Sequence, residues 1–130
     1  MLLQRDGAHV VGTVALLDRD EDTWSDDGTP AVYVHLLMVH RAYAGQDLGG
    51  RMLEQVEVRA LGRGARYLRL DAGSDLERLH RWYQQRGYAE VATRTIVDGA
   101  ERFEVTLREK ELAPSRRDPG AASTLGQREA

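Results

Sequence analysis

The chain has 130 residues, enough for one domain with a modest core, and its 42% hydrophobic and 30% charged content is that of a folding chain rather than a disordered one. Its 18 basic and 21 acidic residues are intermixed, for a formal net charge of -3, so it offers no single-sign surface of the kind that binds nucleic acid. With no cysteine, and four histidines without ligand-like spacing, it lacks disulfides, thiolate nucleophiles and cysteine metal sites, and no metal is expected.

In chain order, His9 to Asp18 ("HVVGTVALLD") is rich in β-branched and aliphatic residues and predicts a strand, followed by the acidic loop "DRDEDTWSDDGTP". "AVYVHLLMVH" after Pro30 is apolar on both alternating faces except at His35, the pattern of a central strand covered on each side. Leu48, Met52, Leu53, Val56, Ala60 and Leu61 form a helical stripe that Gly62 and Gly64 end. "RYLRLDAG" predicts a second buried strand, parallel to the first central one because a helix connects them. Leu76, Leu79, Trp82 and Tyr83 fall at helical spacing, with Ser74 or Asp75 placed to cap the start and Gly87 to end it. A hairpin about Asp98-Gly99 closes the domain. Residues 1–112 thus form the domain, and the Pro, Ser, Gly and Ala-rich 113–130 predict a disordered tail. No apolar run approaches about 18 residues, and "MLLQRDG" is too short for a signal peptide, so a cytoplasmic location without membrane contact is expected.

The stretch "AYAGQDLGGRML" carries the chemical interest. A helix N-terminus exposes unpaired N–H groups and the positive end of the dipole, and glycines let the preceding backbone curl round an anion. The bland alternative is a tight strand-to-helix connection whose glycines only relieve packing. The spacing of Gly45, Gly49 and Gly50 does not fit a Rossmann G-x-G-x-x-G, although Asp71 after the next strand stands where a ribose-binding acid would. No lysine precedes Lys110, which rules out a P-loop.

From about His9 to Glu109 the ordered set "YVHLLMV", "AGQDLGGRML", "YLRLD" and "LHRWYQQRGY" resembles the GNAT superfamily of acetyl-CoA-dependent N-acyltransferases. The resemblance rests on a strand ending in "LMV", a Q/R-x-x-G-x-G/A pyrophosphate loop opening a helix, and a later helix with Tyr83 before Gly87-Tyr88. It implies a mixed α/β fold, mostly antiparallel with a central parallel pair flanked by helices. Acetyl-CoA is the implied cosubstrate and an amine of a small molecule or protein the acceptor. Leu37, Met38 and Val39 would hold the cofactor arm through their backbone, and Gly45, Gln46, Asp47, Leu48, Gly49, Gly50 and Arg51 its pyrophosphate. Four departures stand out. The loop's leading Gln or Arg is Ala44, its first glycine is Asp47, the helix's usual Asn is Leu76, and the strand and helices that usually precede His9 are not visible. A partner subunit, for example in a homodimer, is one way to cover the sheet left open.

By position Tyr83 is the implied general acid for the departing thiolate, whereas its spacing alone reads as a buried helix-face aromatic. The base stays open among His35, His40, Asp26, Asp27 and water, with His35 the sole polar side chain within the central strand. Trp24 and Trp82 read as pocket walls or as packing. The competing functional class is a non-catalytic acyl-CoA-binding or dimerising module.

Overall fold

The computed structural model describes residues 2–6, 9–21, 23–25, 27–39 and 47–112, with side chains over 12–21, 23–25, 27–35 and 47–112. The tail predicted from Ala113 lies outside the described residues. In chain order the elements are β1 (Leu2–Asp6), β2 (His9–Leu17), β3 (Ala31–Val39), α1 (Leu48–Gly62), β4 (Tyr67–Gly73), α2 (Glu77–Gln85), β5 (Ala89–Asp98) and β6 (Glu101–Glu111). They build one six-stranded sheet in the order β1-β2-β3-β4-β6-β5. Every neighbouring pair is antiparallel except β3 with β4. No helix among the described residues is long and apolar enough to cross a membrane.

β1 corrects the sequence reading, which placed no element before His9. Leu2 pairs with Val14 and Asp6 with His9. Five residues are too few for a visible period, and this strand exists by virtue of its partner β2. The cap expected at Ser74 or Asp75 is also absent. Leu76 is the N-cap of α2 and gives no side-chain bond, while Ser74 Oγ pairs with Thr106 Oγ1 at 2.8 Å. Gly87, at φ 95°, leaves the helix in the left-handed conformation that glycine adopts most readily.

Each central strand buries both faces. On one, Val32, Val34, Leu68 and Leu70 meet the α1 stripe of Leu48, Met52, Leu53, Val56 and Ala60, together with Tyr83 and Tyr88. On the other, Tyr33 packs with Trp24, Val105 and Leu107. Arg69 lies in this second layer, 5% exposed. It donates to Glu109 (3.0 Å), to the Tyr33 hydroxyl (3.0 Å) and to Asp27 (3.2 Å), and its guanidinium lies 4.7 Å from the Trp24 ring centre. A buried cation needs partners of this kind, and here they fasten the β2–β3 loop to the sheet.

β3 and β4 pair only at their beginnings, Ala31 with Tyr67, Val32 with Leu68 and Tyr33 with Arg69. Beyond these, β3 stays with β2 and β4 stays with β6, so the facing edges from Val34 and from Leu70 onward diverge into an open wedge. The open edge presents backbone N–H and C=O groups that no strand among the described residues uses.

Candidate active site in the wedge

Side chains alternate along a strand, so His35 and Asp71, each two residues past the last paired position, share the face of Tyr33 and Arg69 at the throat of the wedge. Asp20 joins them from the loop after β2. Its Oδ2 lies 2.7 Å from His35 Nε2, and one donor atom from each of Asp20, His35 and Asp71 lies within 4.8 Å of the others. Burial pushes the Asp71 carboxyl above its ordinary value; the charge of His35 opposes this and that of Asp20 adds to it. Two carboxylates and an imidazole in a half-buried space form a proton-accepting cluster that also favours a cation.

Tyr83 approaches from α2 and is 6% exposed. Its ring meets Tyr88 and Trp82 edge-on, with centroids 5.9 and 5.2 Å away. Burial first, and the nearby charge of Asp71 second, push its phenol above its ordinary value. The hydroxyl is therefore held protonated, the form from which a proton can be given.

Beside Asp20 a cavity of about 150 Å³ is lined by Asp18, Asp20, Glu21, Trp24, Thr29 and Tyr33 among others. Trp24 accordingly both packs and lines a cavity. Asp27, one of the candidate bases, is engaged by Arg69, which holds its carboxyl well below the usual range and so leaves it a poor proton acceptor. Asp26 and His40 lie outside the described residues.

At the N-terminus of α1, Asp47 has φ 55° and ψ 29°, makes no side-chain cap, and accepts the Arg51 N–H on its carbonyl at 3.1 Å. The first turn carries no acidic side chain, and the N–H groups of Leu48, Gly49 and Gly50 point along the helix's positive end. Asp47 takes the left-handed turn a glycine would take, and its charge is met by Arg86 Nη2 at 2.6 Å. Arg86 lies over the Trp82 ring, 4.6 Å from its centre. A Cβ on Gly50 would fall inside contact distance of the Arg86 fork, so glycine keeps that approach open. Leu48 and Gly50 are buried, Gly49 is half-buried and Arg51 is exposed. Leu37, Met38 and Val39 lie on the diverging part of β3, whereas Ala44, Gly45 and Gln46 lie outside the described residues.

The site thus brings His35 together with Asp20 and Asp71, the latter near enough to Tyr83 to act on it by charge, and sets Arg86 beside the α1 turn; sequence reasoning placed none of Asp20, Asp71 and Arg86 there. Asp71 had a signal, an acid ending a buried strand. Arg86 had a fainter one, four residues after Trp82 on the same helix face. Asp20 had none, since it is one acid among several in its loop.

Residues 1–88 match the acetyltransferase (GNAT) family. Over 70 residues the chain is 39% identical to the uncharacterized N-acetyltransferase YesJ of Bacillus subtilis (strain 168), a stretch covering 53% of this chain and 39% of that protein. Among solved structures, a GNAT family acetyltransferase from Elizabethkingia anophelis with acetyl-CoA bound superposes at TM-score 0.69 and 17% identity, over 85% of this chain and 74% of that one. The yncA protein of Salmonella typhimurium, solved with its cofactor acetyl-CoA, gives 0.69 at 19% identity over 89% and 66% of the two chains. At such identities the likeness establishes the fold alone. Since the family match takes in well over half of the 130 residues, the chain belongs to the GNAT family of acetyltransferases.

Proposed function

We propose that this domain transfers an acetyl group from acetyl-CoA to an amine of a small molecule or protein, and that the wedge between β3 and β4 is where it does so. What supports the reading is the base-like cluster of Asp20, His35 and Asp71 at the throat of the wedge, together with a buried, protonated Tyr83 near enough to Asp71 to feel its charge.

The residues present fit acetyl-CoA. The N–H groups at the start of α1, where Asp47 makes no side-chain cap, suit a pyrophosphate, and Arg86 offsets the charge of Asp47 that would otherwise repel it. The open edge of β3 over Leu37 to Val39 offers backbone donors for the pantetheine arm and the thioester carbonyl. Bound there, acetyl-CoA supplies the carbonyl carbon to which the amine nitrogen bonds as the C–S bond breaks. His35 takes the proton that the amine nitrogen loses, and Tyr83 gives its proton to the departing sulfur. The amine proton and the tyrosine proton together account for the neutral amide and the free thiol, and solvent resets both side chains.

The chain has no cysteine, so a thiol reagent added to the reaction reads only released CoA. Titration calorimetry with acetyl-CoA and with CoA, followed by thiol release over a panel of primary amines, tests the reading. Micromolar binding with amine-dependent release is expected, and a folded sample without binding would refute it. Tyr83→Phe is expected to lower kcat about 10- to 100-fold while leaving acetyl-CoA affinity within twofold, a split that a purely packing tyrosine would not give.

A further inference from the structure

We propose that Asp20 is a positioning residue for His35, whose carboxylate fixes the imidazole in the tautomer that leaves Nδ1 free to take a proton. The inference rests on the acetyl-transfer reading and adds to it the group that prepares the base. Asp20 Oδ2 lies 2.7 Å from His35 Nε2. A carboxylate at neutral pH offers only acceptors, so the shared proton sits on Nε2 and the free lone pair on Nδ1.

Burial assigns the roles within the pair. The Asp20 side chain is 8% exposed and that of His35 34%, so the buried carboxylate anchors a ring that keeps part of its surface open to an incoming amine. A bond of this kind gains strength as the imidazole becomes charged, because donor and acceptor then carry opposite charges. The charged groups facing His35 are Asp20 from the β2–β3 loop and Asp71 from β4, so the imidazolium formed on proton transfer lies between two carboxylates.

Asp20 also lines the cavity walled by Trp24 and Tyr33, on the same loop that Asp27 fastens to Arg69. The base is therefore assembled only when this loop is seated. A role confined to stitching the loop to β3 would affect stability alone, leaving the tautomer to solvent and the KM-to-kcat balance unmoved.

Side-chain ¹⁵N NMR reads the tautomer directly, with His35 assigned by its loss in His35→Ala. The Nε2–H form is expected in the wild type and a mixture of tautomers in Asp20→Asn. In thiol-release assays Asp20→Asn is expected to lower kcat on the order of 10- to 100-fold, within the range of a whole general base, with the KM for acetyl-CoA unchanged. Asp20→Glu should recover part of the rate, and Asp20→Asn should cost nothing further in a His35→Ala background. An Nδ1–H tautomer in the wild type, an undiminished kcat in Asp20→Asn, or additive losses in the double variant would each overturn the proposal. If Asp20→Asn does not fold, the wild-type tautomer and the Asp20→Glu rate carry the decision. Failure of the acetyl-transfer reading is a separate outcome, seen as no thiol release by the wild type with any amine, and the tautomer then still decides whether Asp20 holds His35.

Discussion

Asp47 occupies a left-handed position at the entrance to α1, where a non-glycine residue costs about 1 kcal/mol or more, and its charge faces the end of the helix that favours anions. Arg86 turns this acid from a repulsive group into half of an ion pair. Asp47 is 60% exposed in its side chain, so the pair adds little to folding, and its consequence belongs to ligand binding. Arg86→Ala is expected to weaken acetyl-CoA about 3- to 10-fold at low salt by leaving Asp47 uncompensated, and adding Asp47→Gly should restore most of the loss. Titration calorimetry at two salt concentrations checks both, and a loss that persists with Asp47 removed would assign Arg86 a direct phosphate contact instead. Local pattern could identify the turn and the misfit of its aspartate. It could not identify the remedy, which comes from a helix 39 positions away in sequence.

Among the elements, two glycines show how backbone and side-chain space separate as causes. Gly87 ends α2 at φ 95°, and a Cβ there would meet only the flexible Lys110 side chain at 3.4 Å. Gly87→Ala is therefore expected to cost about 1–2 kcal/mol, all of it conformational, as read by urea unfolding. Gly50 lies inside α1 with helical backbone, so Gly50→Ala should leave stability within about 1 kcal/mol while pushing the Arg86 fork off Asp47. That variant should lose acetyl-CoA affinity as Arg86→Ala does. If Gly50→Ala unfolds the protein instead, the contact is one the helix cannot yield. The elements themselves were legible because each carries its own period and its own punctuation, from the α1 stripe to Gly87. β1 escaped because five residues show no period, and the placement of β6 between β4 and β5 escaped because pairing is a long-range property. The parallel pair that bounds the wedge was legible from its connecting helix and from resemblance, and His35 from its place in a central strand, but the grouping of Asp20, His35 and Asp71 was not. Its members come from a loop and two strands, at spacings that follow from sheet register rather than from any motif.

For the whole molecule, the buried tyrosines set how stability responds to alkali. Burial first, and for Tyr88 the hydrogen bond its hydroxyl donates to Glu57 at 2.7 Å, push both Tyr83 and Tyr88 above their ordinary value of 10. A group whose folded pKa is raised binds its proton more tightly in the folded state. Its contribution is therefore fully present below pH 10 and is lost as the pH climbs from there toward the folded values. Thermal unfolding followed by circular dichroism is expected to give a flat Tm up to about pH 9 and a steady fall above 10. Lys110 bonds the same Glu57 at 3.1 Å, so the tyrosine share needs its own control. Tyr88→Phe supplies it. The variant should be about 1–3 kcal/mol less stable at neutral pH, having lost a buried hydrogen bond to a charged acceptor, yet its Tm should decline less steeply above pH 10. A Tyr88→Phe curve running parallel to the wild type would assign the alkaline loss to groups other than the Tyr88 phenol. Convergence of the two curves would place it on the phenol that joins the end of α2 to α1 through Glu57.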